Sequence, residues 1–425
     1  MAAASTPSRA TRFLGRLVQV REGEGRPLAL ATAWFFLLFT GYYLLRPLRE
    51  AFGIARGADK LPWLMTATLV CMFLVNPAFA ALVSRLPRRR FVPLAYRACT
   101  LTLAVFYGLW RLLPGHGGAA LGYVFYVWLS VFNLFAVSVF WAFMADGWEA
   151  EQGTRLFGFM AMGGTLGAIA GAAGAQALAS GPWRADAGTS ILLAILCLEL
   201  AILCVRALAL RFGMGASTPE REPGPGTLQG LKLVAGSPFL LLIALYILLY
   251  TITSTFLYLQ QGAIVARTFT GAARTAAFAR LDLWVNGITL ATQVLLASRI
   301  ITRFGLRTVL CFMPILTLAG FGALAALPTF GTLAVFQVLR RGLHYAVDRP
   351  AREVLYIPLG PDEKYKAKPF IDTFVYRVGD LLGTWIPALL ALVALPAAPI
   401  AMGFSAAWLW GGWKLGSRWA TGRPR

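Results

Sequence analysis

The stretch that ends the first apolar run of the chain carries three ionisable residues. In GYYLLRPLREAFG (residues 41–53), Tyr42, Arg46, Arg49 and Glu50 fall at helical spacing and share about one face of a helix. An uncompensated charge in hydrocarbon costs at least about 2.5 to 3.5 kcal/mol, so we expect this face to line an aqueous cavity. The two arginines would hold an anion through paired hydrogen bonds, and Arg46 is expected to pair with Glu50. A helix end whose charges snorkel to the membrane surface is the alternative interpretation.

A second polar set lies within the apolar run at residues 369–395. Asp372, Tyr376 and Asp380 follow one another at intervals of four residues and form a stripe, with Arg377 beside it. Ionisable groups at that depth are functional by default. A carboxylate there would bind a proton or a cation, and the arginine would bind an anion. The residues predicted to bind the solute are therefore Arg46, Arg49, Tyr42, Arg377, Asp380 and Tyr376.

Charged residues also collect where the fourth and the tenth apolar runs end, in residues 140–160 and 340–380. A transporter whose two halves rock against each other can be gated by ion pairs that break and re-form. Such ion pairs require charged residues at the same end of both halves. His344 is the histidine predicted as a proton site, because it lies near Arg341 and Asp348. The residues predicted to act in gating or coupling are Glu50, Asp146, Glu151, Arg155, Asp348, Arg352, Glu353, Lys366, Lys368 and Asp372.

The elements that must position these residues are membrane helices. The chain is 58% hydrophobic and only 13% charged, against about 25% charged in soluble domains. Its apolar runs are continuous and about twenty residues long, which favours spanning helices over a barrel. We predict an all-α membrane protein with about twelve transmembrane helices. The predicted spans are residues 27–50, 61–83, 91–113, 119–145, 157–180, 189–211, 237–259, 275–298, 306–327, 329–348, 369–395 and 398–416.

The loops between the runs alternate in charge. The loops SRLPRRR and SRIITRFGLR and the segment KLGSRWATGRPR are basic, whereas the opposite loops lack lysine and arginine. Basic loops stay in the cytosol, which predicts a multi-pass protein of the cell inner membrane with both termini cytosolic. LVSRLPRRR and LASRIITRF recur about half a chain apart, which indicates two pseudo-symmetric halves of about six helices each, as in the major facilitator superfamily. The predicted parts are a cytosolic tail (1–26), an N-terminal half (27–211), a cytosolic linker (212–236), a C-terminal half (237–416) and a second tail (417–425).

Other features of the sequence exclude some classes of function. The chain has a net charge of +21, and its lysines and arginines cluster in short loops between the apolar runs. This pattern predicts that the basic residues contact anionic lipid rather than nucleic acid. The five cysteines lie in apolar runs without a C-x-x-C pair, so no disulfide framework and no metal or cofactor is expected. The repeat of Gly163, Gly167 and Gly171 predicts close helix packing rather than a phosphate loop.

Three motifs resemble the ATP/ADP translocase (nucleotide transporter) family. REVLYIPLGPDEKYKAKPFIDTFVYRVGD (residues 352–380) is similar to a segment near that family's C-terminus. LLRPLRE is similar to its first-helix pattern Leu-Arg-Asp-Thr-Lys-Asp and places Arg46, Arg49 and Glu50 on the Arg, Lys and Asp. FWAFMAD and EQGTRLFG resemble its fourth-to-fifth helix segment and place Arg155 on an arginine. The resemblance implies a facilitator-like fold and exchange of ATP for ADP plus phosphate, with basic residues contacting the phosphates.

The sequence thus predicts a secondary transporter that moves an anionic small solute, with a nucleotide as first candidate, by alternating access. The resembled family has a lysine where this chain has Asp380, and a carboxylate there would repel a polyphosphate. A proton-coupled facilitator of another solute, using Asp372 or Asp380, therefore stays open. A lipid-handling membrane enzyme with Asp146, Glu149 and Glu151 as acid and base and a non-transporting sensor on a transporter scaffold are the other classes. We expect no enzyme, and as partners the solute and the lipid bilayer.

Overall fold

The computed structural model describes residues 20–85, 87–112, 118–180, 186–214, 227–295, 297–360, 363–393 and 395–421. Within these ranges the chain is helical and has no strand. The predicted N-terminal tail up to residue 19, residues 215–226 of the predicted linker and residues 422–425 lie outside them. The helices are α1 (Gly25–Gly53), α2 (Leu61–Arg85), α3 (Arg88–Leu112), α4 (Gly118–Gly147), α5 (Ala150–Ser180), α6 (Ala187–Phe212), α7 (Thr227–Gly236), α8 (Pro238–Thr268), α9 (Ala272–Leu295), α10 (Ala297–Ala326), α11 (Phe330–Leu343), α12 (Arg349–Leu355), α13 (Tyr376–Leu392) and α14 (Ala397–Ala420).

Helices lie at the positions of the predicted spans, and nine of those in the described ranges are long and apolar enough to cross a membrane. The helices α9, α11 and α14 are shorter or less apolar than those nine. The all-helical membrane fold is therefore confirmed, and the count of about twelve spans stays a prediction.

The chain divides into two compact units. The first consists of Met1–Arg49 with Cys71–Arg221, and the second of Glu50–Val70 with Glu222–Arg425. The unit boundaries therefore fall inside α1 and α2. Each unit has its own buried core, and the predicted division into halves at residues 27–211 and 237–416 stays a prediction.

In the first unit, a row of glycines lets α5 approach α1 closely. A Cβ atom on Gly163 would lie 2.6 Å from the Cγ2 atom of Thr32, and one on Gly171 would lie 2.5 Å from the carbonyl oxygen of Thr40. Gly167 lies between them, against the backbone of α1. Larger side chains would force the two helices apart. The predicted packing role of these glycines is confirmed.

An aromatic cluster fills the core of the same unit. The fully buried Trp34 of α1 packs edge-on against Phe140 and Phe143 of α4, with ring centroids 4.9 and 5.3 Å apart. Tyr96 of α3 joins the cluster at 6.1 Å. Edge-to-face packing of this kind fixes the three helices at a defined spacing, which positions the end of α1 where Arg46 and Arg49 lie.

In the second unit, α8 is the central helix. Its Tyr246 packs against Trp408 of α14 at 5.3 Å between ring centroids, and both side chains are fully buried. Gly379 and Gly383 of α13 face α8 so closely that a Cβ atom on either would lie 2.8 Å from a Thr251 or Thr255 atom. The polar side chains that α8 carries are therefore held among α10, α13 and α14.

Within the described residues, three wide helical turns interrupt the second unit beside its charged residues: His344–Asp348, Glu363–Ala367 and Ile371–Val375. The turn His344–Asp348 joins α11 to α12, and the turn Ile371–Val375 precedes α13; both have i→i+5 hydrogen bonding. Each lies near a proline, Pro350 and Pro369, which has no backbone N–H to continue a regular helix. Wide turns of this kind are frequent at functional sites.

A short helix occupies the end of the predicted linker. Helix α7 packs against the turn Glu363–Ala367 and the residues that follow it. A Cβ atom on Gly230 would lie 2.6 Å from that of Phe370, so the contact is close. Residues 212–236 were predicted to be a cytosolic linker, and this helix was not predicted.

Candidate functional site

The two arginines of α1 lie against tyrosine rings of the first unit. The Nη1 atom of Arg49 donates a 3.0 Å hydrogen bond to the Oγ atom of Ser130, and its guanidinium carbon lies 5.1 Å from the ring centroid of Tyr126. Arg46 lies 5.4 Å from the ring centroid of Tyr43. Ser130 and Tyr126 are four residues apart and share one face of α4. Aromatic faces and a hydroxyl stabilise the positive charge of both arginines here.

At the other end of α1, Glu24 anchors a charged network of the first unit. Arg155 donates two hydrogen bonds to its carboxylate, at 2.9 and 3.2 Å. Gln152 donates a third at 3.0 Å, and the backbone N–H of Arg21 a fourth at 2.9 Å. The side chain of Arg21 binds Glu151 at 2.6 Å. Paired hydrogen bonds between a guanidinium and a carboxylate are among the strongest in proteins, so this network fixes the start of α5 against that of α1.

Glu24 gives the first unit a predicted dependence on pH. Its pKa is lowered from 4.5 to about 2, chiefly by the hydrogen bond from Arg155. Because the folded-state pKa lies below the unfolded one, the carboxylate stabilises the fold above pH 4.5 and this contribution is lost as the pH falls from 4.5 toward 2. Glu24→Gln is therefore expected to unfold at a lower temperature than the wild type at neutral pH, with a gap that closes in acid. Thermal unfolding in detergent across this range measures the gap.

Glu149→Gln, at an exposed position of the same unit, is the matched control and should leave the unfolding temperature unchanged at every pH. A gap for Glu24→Gln that stays constant down to about pH 3 would contradict the assignment of the stabilising charge to Glu24.

In the second unit, Asp348 is the hub of a buried polar network. Only 1% of its surface is exposed. Tyr246 donates a 2.7 Å hydrogen bond to Oδ1, while Oδ2 lies 3.0 Å from the Nδ1 atom of His344 and 3.4 Å from the Nε atom of Arg352. The residues at positions 344, 348 and 352 reach one side of the helix because they are spaced four apart. The carboxylate is thus neutralised and hydrogen-bonded inside the unit, as buried charges require.

The ring of Tyr250 contacts an imidazole and two guanidinium groups of this network. The imidazole of His344 stacks on it, with centroids 4.5 Å apart and planes 12° apart. The guanidinium carbons of Arg340 and Arg352 lie 5.3 and 5.5 Å from its centroid. The electron-rich face of an aromatic ring attracts cations, more strongly where water is excluded.

Arg340 is a buried cation whose hydrogen-bond partners are all neutral oxygens. Its side chain donates to the hydroxyls of Thr317, Ser254 and Thr253 and to the backbone carbonyl of Tyr250, at 3.1 to 3.3 Å. Only 2% of the residue is exposed. Arg340 follows the start of α11 by ten residues, or about 15 Å, so it lies about halfway along a membrane-spanning path. Among the described residues, the hydrogen-bond donors of Arg340 all have neutral acceptors. No carboxylate there forms an ion pair with its guanidinium.

The neighbouring Arg341 differs because it pairs with a carboxylate. Its Nη1 atom lies 3.1 Å from the Oδ1 atom of Asp282, whose side chain is 4% exposed. Asn286, one turn further along α9, donates to the backbone carbonyl of Asp282 at 2.8 Å. This pair joins α9 to α11 and is charge-balanced.

Helix α13 carries part of the predicted solute-binding stripe. Asp380 accepts hydrogen bonds from Thr255 of α8 at 3.2 Å and from Arg377 at 3.3 Å. The side chains of Arg377 and Asp380 are 31% and 24% exposed, so both are open to a solute. Tyr376 lies 6.4 Å from Tyr250 between ring centroids. Asp372 is exposed and lies in the wide turn that precedes the helix.

Three more of the predicted gating residues have defined contacts in the second unit. Glu50 is buried and accepts a 2.7 Å hydrogen bond from the hydroxyl of Tyr258. Lys368 binds Glu353 at 2.5 Å and lies 5.3 Å from a tyrosine ring centroid. The Arg46–Glu50 pair and the roles of Lys366 and Asp146 stay predictions.

Several members of these networks were not predicted from the sequence. Glu24, the main partner of Arg155, lies before the first apolar run, where a carboxylate is usually solvated. Arg340 precedes His344 by four residues, the same interval that separates His344 from Asp348 and Asp348 from Arg352. That spacing was the signal that would have placed Arg340 with them. The contributions of α8 had no such signal, because its tyrosines and threonines resemble ordinary packing residues.

Comparison with known proteins gives a weak sequence match. No family model matches the chain. It is 24% identical over 191 residues to ADP,ATP carrier protein 1 of Chlamydia trachomatis serovar D and to that of Chlamydia muridarum. The match covers 40% of this chain and 35% of each carrier, so the chain spans about a third of the length of the curated relatives it matches. This similarity supports the resemblance that the three motifs indicated.

Solved structures match nearly the whole chain. A bacterial homologue of the iron transporter ferroportin has a TM-score of 0.64 at 13% identity and covers 95% of this chain and 100% of its own. The nucleoside transporter NupG has a TM-score of 0.64 at 12% identity, covering 92% of this chain and 99% of its own. The chain has the fold of major facilitator superfamily transporters. The human organic anion transporter MFSD10 shares this fold at a TM-score of 0.58 and 14% identity, covering 93% of this chain and 100% of its own. The predicted facilitator-like fold is confirmed, and these neighbours are transporters rather than enzymes.

Proposed function

We propose that the chain is a secondary transporter of an anionic small solute, with an adenine nucleotide as the first candidate. It would work by alternating access in a cell inner membrane, with both termini in the cytosol. The proposed solute contacts are Arg46, Arg49, Tyr42, Arg377, Asp380 and Tyr376. The residues proposed for gating or coupling are Glu50, Asp146, Glu151, Arg155, Asp348, Arg352, Glu353, Lys366, Lys368 and Asp372.

The observation that carries the proposal is the buried guanidinium of Arg340. A cation in the middle of a membrane protein costs at least about 2.5 to 3.5 kcal/mol when no negative charge offsets it. Its four neutral partners satisfy its donors but carry no negative charge. Asp348 of the same network attracts Arg340 at longer range, but this carboxylate already lies 3.4 Å from Arg352. The two guanidiniums therefore share one carboxylate, and a net positive charge is left. An anionic solute bound within reach of this charge would offset the cost. Anion binding explains why the protein has a buried cation that is otherwise energetically unfavourable.

The more exposed groups of the same unit are suited to contact the solute directly. Arg377 is exposed enough to bind a phosphate, and Asp380 holds it in place through the hydrogen bond at 3.3 Å. Asp380 is itself fixed by Thr255. A carboxylate that already pairs with an arginine repels a polyphosphate less than an isolated one does, so Asp380 is compatible with a nucleotide when Arg377 is present.

The proposal is supported by two similarities of different kinds. The relatives with sequence similarity are named ADP,ATP carriers. Among the proteins of similar fold, one is named a nucleoside transporter and another an organic anion transporter. Arginine is also the residue of choice for recognising phosphate, because its planar fork donates two parallel hydrogen bonds.

Uptake by reconstituted vesicles tests the proposal. Vesicles that contain the purified chain and are loaded with unlabelled ADP are expected to take up labelled ATP, and vesicles loaded with buffer alone should take up much less. Arg377→Gln is expected to lower this exchange by about tenfold or more, the cost of losing one charged hydrogen bond. Arg211→Gln, at an exposed position on α6, is the control and should leave uptake unchanged.

Absence of ATP and ADP uptake with either loading would exclude the nucleotide. A proton-coupled facilitator is the second candidate function, favoured by Asp372, which is exposed and lies in a wide turn next to Lys368–Phe370. Uptake of another anion that follows an imposed pH gradient and is abolished by Asp372→Asn would support it. Exchange of nucleotides that is indifferent to the pH gradient would contradict it.

A further inference from the structure

An apolar groove runs along the outside of the second unit, between α10 and α14. It has a volume of about 560 Å³ and is lined by Cys311 and Ile315 of α10 and by Ala406, Leu409 and Trp410 of α14, with neighbouring apolar side chains. The lining is almost entirely nonpolar. The residues that make the solute site do not reach it, so the groove has no part in the proposed transport contacts.

Two cations stand at one end of this groove, each over a tryptophan ring. The guanidinium carbon of Arg307 lies 3.3 Å from the ring centroid of Trp413, and the Nζ atom of Lys414 lies 4.6 Å from that of Trp410. Among the described residues, the buried Nε atom of Arg307 has no hydrogen-bond partner. A ring face supplies no hydrogen-bond acceptor of ordinary strength. This end of the groove therefore carries two positive charges, on Arg307 and Lys414, that attract an anion.

Close packing of the two helices fixes the shape of the groove. A Cβ atom on Gly416 would lie 2.5 Å from the Cα atom of Arg307, and one on Gly412 would lie 3.0 Å from the carbonyl oxygen of Leu310. The backbones of α10 and α14 are thus in contact at the basic end. The groove lies beside this seam and is a fixed feature of the surface rather than a space that side chains could close.

The dimensions match one lipid chain below one headgroup. From Arg307 to Ile315 the helix rises about 12 Å, close to half of a hydrocarbon core about 30 Å thick. Basic pockets on the outside of membrane helices bind anionic headgroups. We propose that the groove binds one anionic phospholipid, with the phosphate at Arg307 and Lys414 and an acyl chain along Ile315 and Ala406.

Native mass spectrometry of the purified full chain, with lipid removed and then added back, tests the proposal. Phosphatidylglycerol is expected to remain bound in preference to phosphatidylcholine with the same acyl chains. Arg307→Gln and Lys414→Gln should each lower this preference about fivefold, since a cation near anionic lipid contributes about a factor of that size. Arg211→Gln is the control and should change nothing. Equal retention of the two lipids by the wild type, or an equal loss in the control, would overturn the proposal.

The acyl part of the site is tested separately. Ala406→Phe fills the groove and is expected to lower retention of phosphatidylglycerol about tenfold, because it displaces about two methylene groups. Ala407→Phe adds the same ring at the adjacent position, which does not line the groove, and should have no effect. If both variants lower retention equally, or neither does, the lipid does not occupy this groove. A thermal-unfolding measurement without lipid confirms that both variants are folded.

Discussion

Arg340→Met is expected to abolish nearly all solute uptake without lowering the stability of the protein. Loss of the cation removes the field that offsets the charge of the anion, at a cost of about 3 kcal/mol, or a hundredfold in rate or affinity. The free energy of unfolding should stay the same or rise, because a buried charge without an ion pair is itself costly. The hydroxyls of Thr253 and Thr317 keep backbone carbonyl partners in their own helices after the substitution. Uptake by vesicles and thermal unfolding in detergent measure the two effects.

Arg341 provides the matched control for this prediction. Arg341→Met leaves the buried carboxylate of Asp282 without the guanidinium at 3.1 Å, and breaking a buried pair from one side costs about 3 to 5 kcal/mol. The two adjacent substitutions should therefore have opposite effects on stability. Arg340→Lys keeps the charge and should keep part of the uptake. If Arg340→Met lowers stability as much as Arg341→Met, Arg340 has a structural role and its charge is not kept to bind an anion.

Asp348→Ala is expected to cost more stability than any other single substitution in the second unit's network. The carboxylate holds Tyr246, His344 and Arg352 together and is 1% exposed. Its removal leaves a buried guanidinium without its partner, which costs about 3 to 5 kcal/mol. Loss of folded protein on size-exclusion chromatography, or a large fall in the unfolding temperature, would show this.

Two further variants separate the parts of this effect. Tyr246→Phe removes one hydrogen bond and should cost about 1 to 3 kcal/mol. Asp348→Leu combined with Arg352→Leu removes both charges and should regain most of the stability that Asp348→Ala loses, because no charge is left without a partner. Asp59→Ala, at an exposed position of the same unit, is the control. A double variant as unstable as the single one would show that packing, rather than charge, sets the cost.

The helices could be predicted from the sequence because the membrane leaves a chain few alternatives. Inside hydrocarbon every backbone N–H and C=O must find a partner within the protein, so a continuous apolar run of about twenty residues becomes a helix. The first predicted span, 27–50, is the helix Gly25–Gly53, and the sixth, 189–211, is Ala187–Phe212. The glycines of α5 were also predictable, since small residues every four positions leave room for a neighbouring helix.

The polar networks depend on more than local spacing. Sequence placed Arg155 and Glu151 near each other, but the main partner of Arg155 is Glu24, 131 positions away. The regular stripe predicted from Asp372 to Asp380 is interrupted, because the turn Ile371–Val375 widens after Pro369 and leaves Asp372 exposed. Such pairings are decided by which helix faces meet, and no property of one helix contains that information.

The sequence by itself determined the membrane fold. It also determined which arginines and carboxylates could bind a solute or a proton, and their spacing along each helix. What only the tertiary structure decided is which charges are neutralised. Arg341 and Arg340 are adjacent, yet one meets Asp282 and the other meets hydroxyls and a carbonyl. Successive residues of a helix point about 100° apart, so each arginine faces a different neighbour. The long-range packing of α8, α9 and α11 therefore determines which of the two keeps an unbalanced charge.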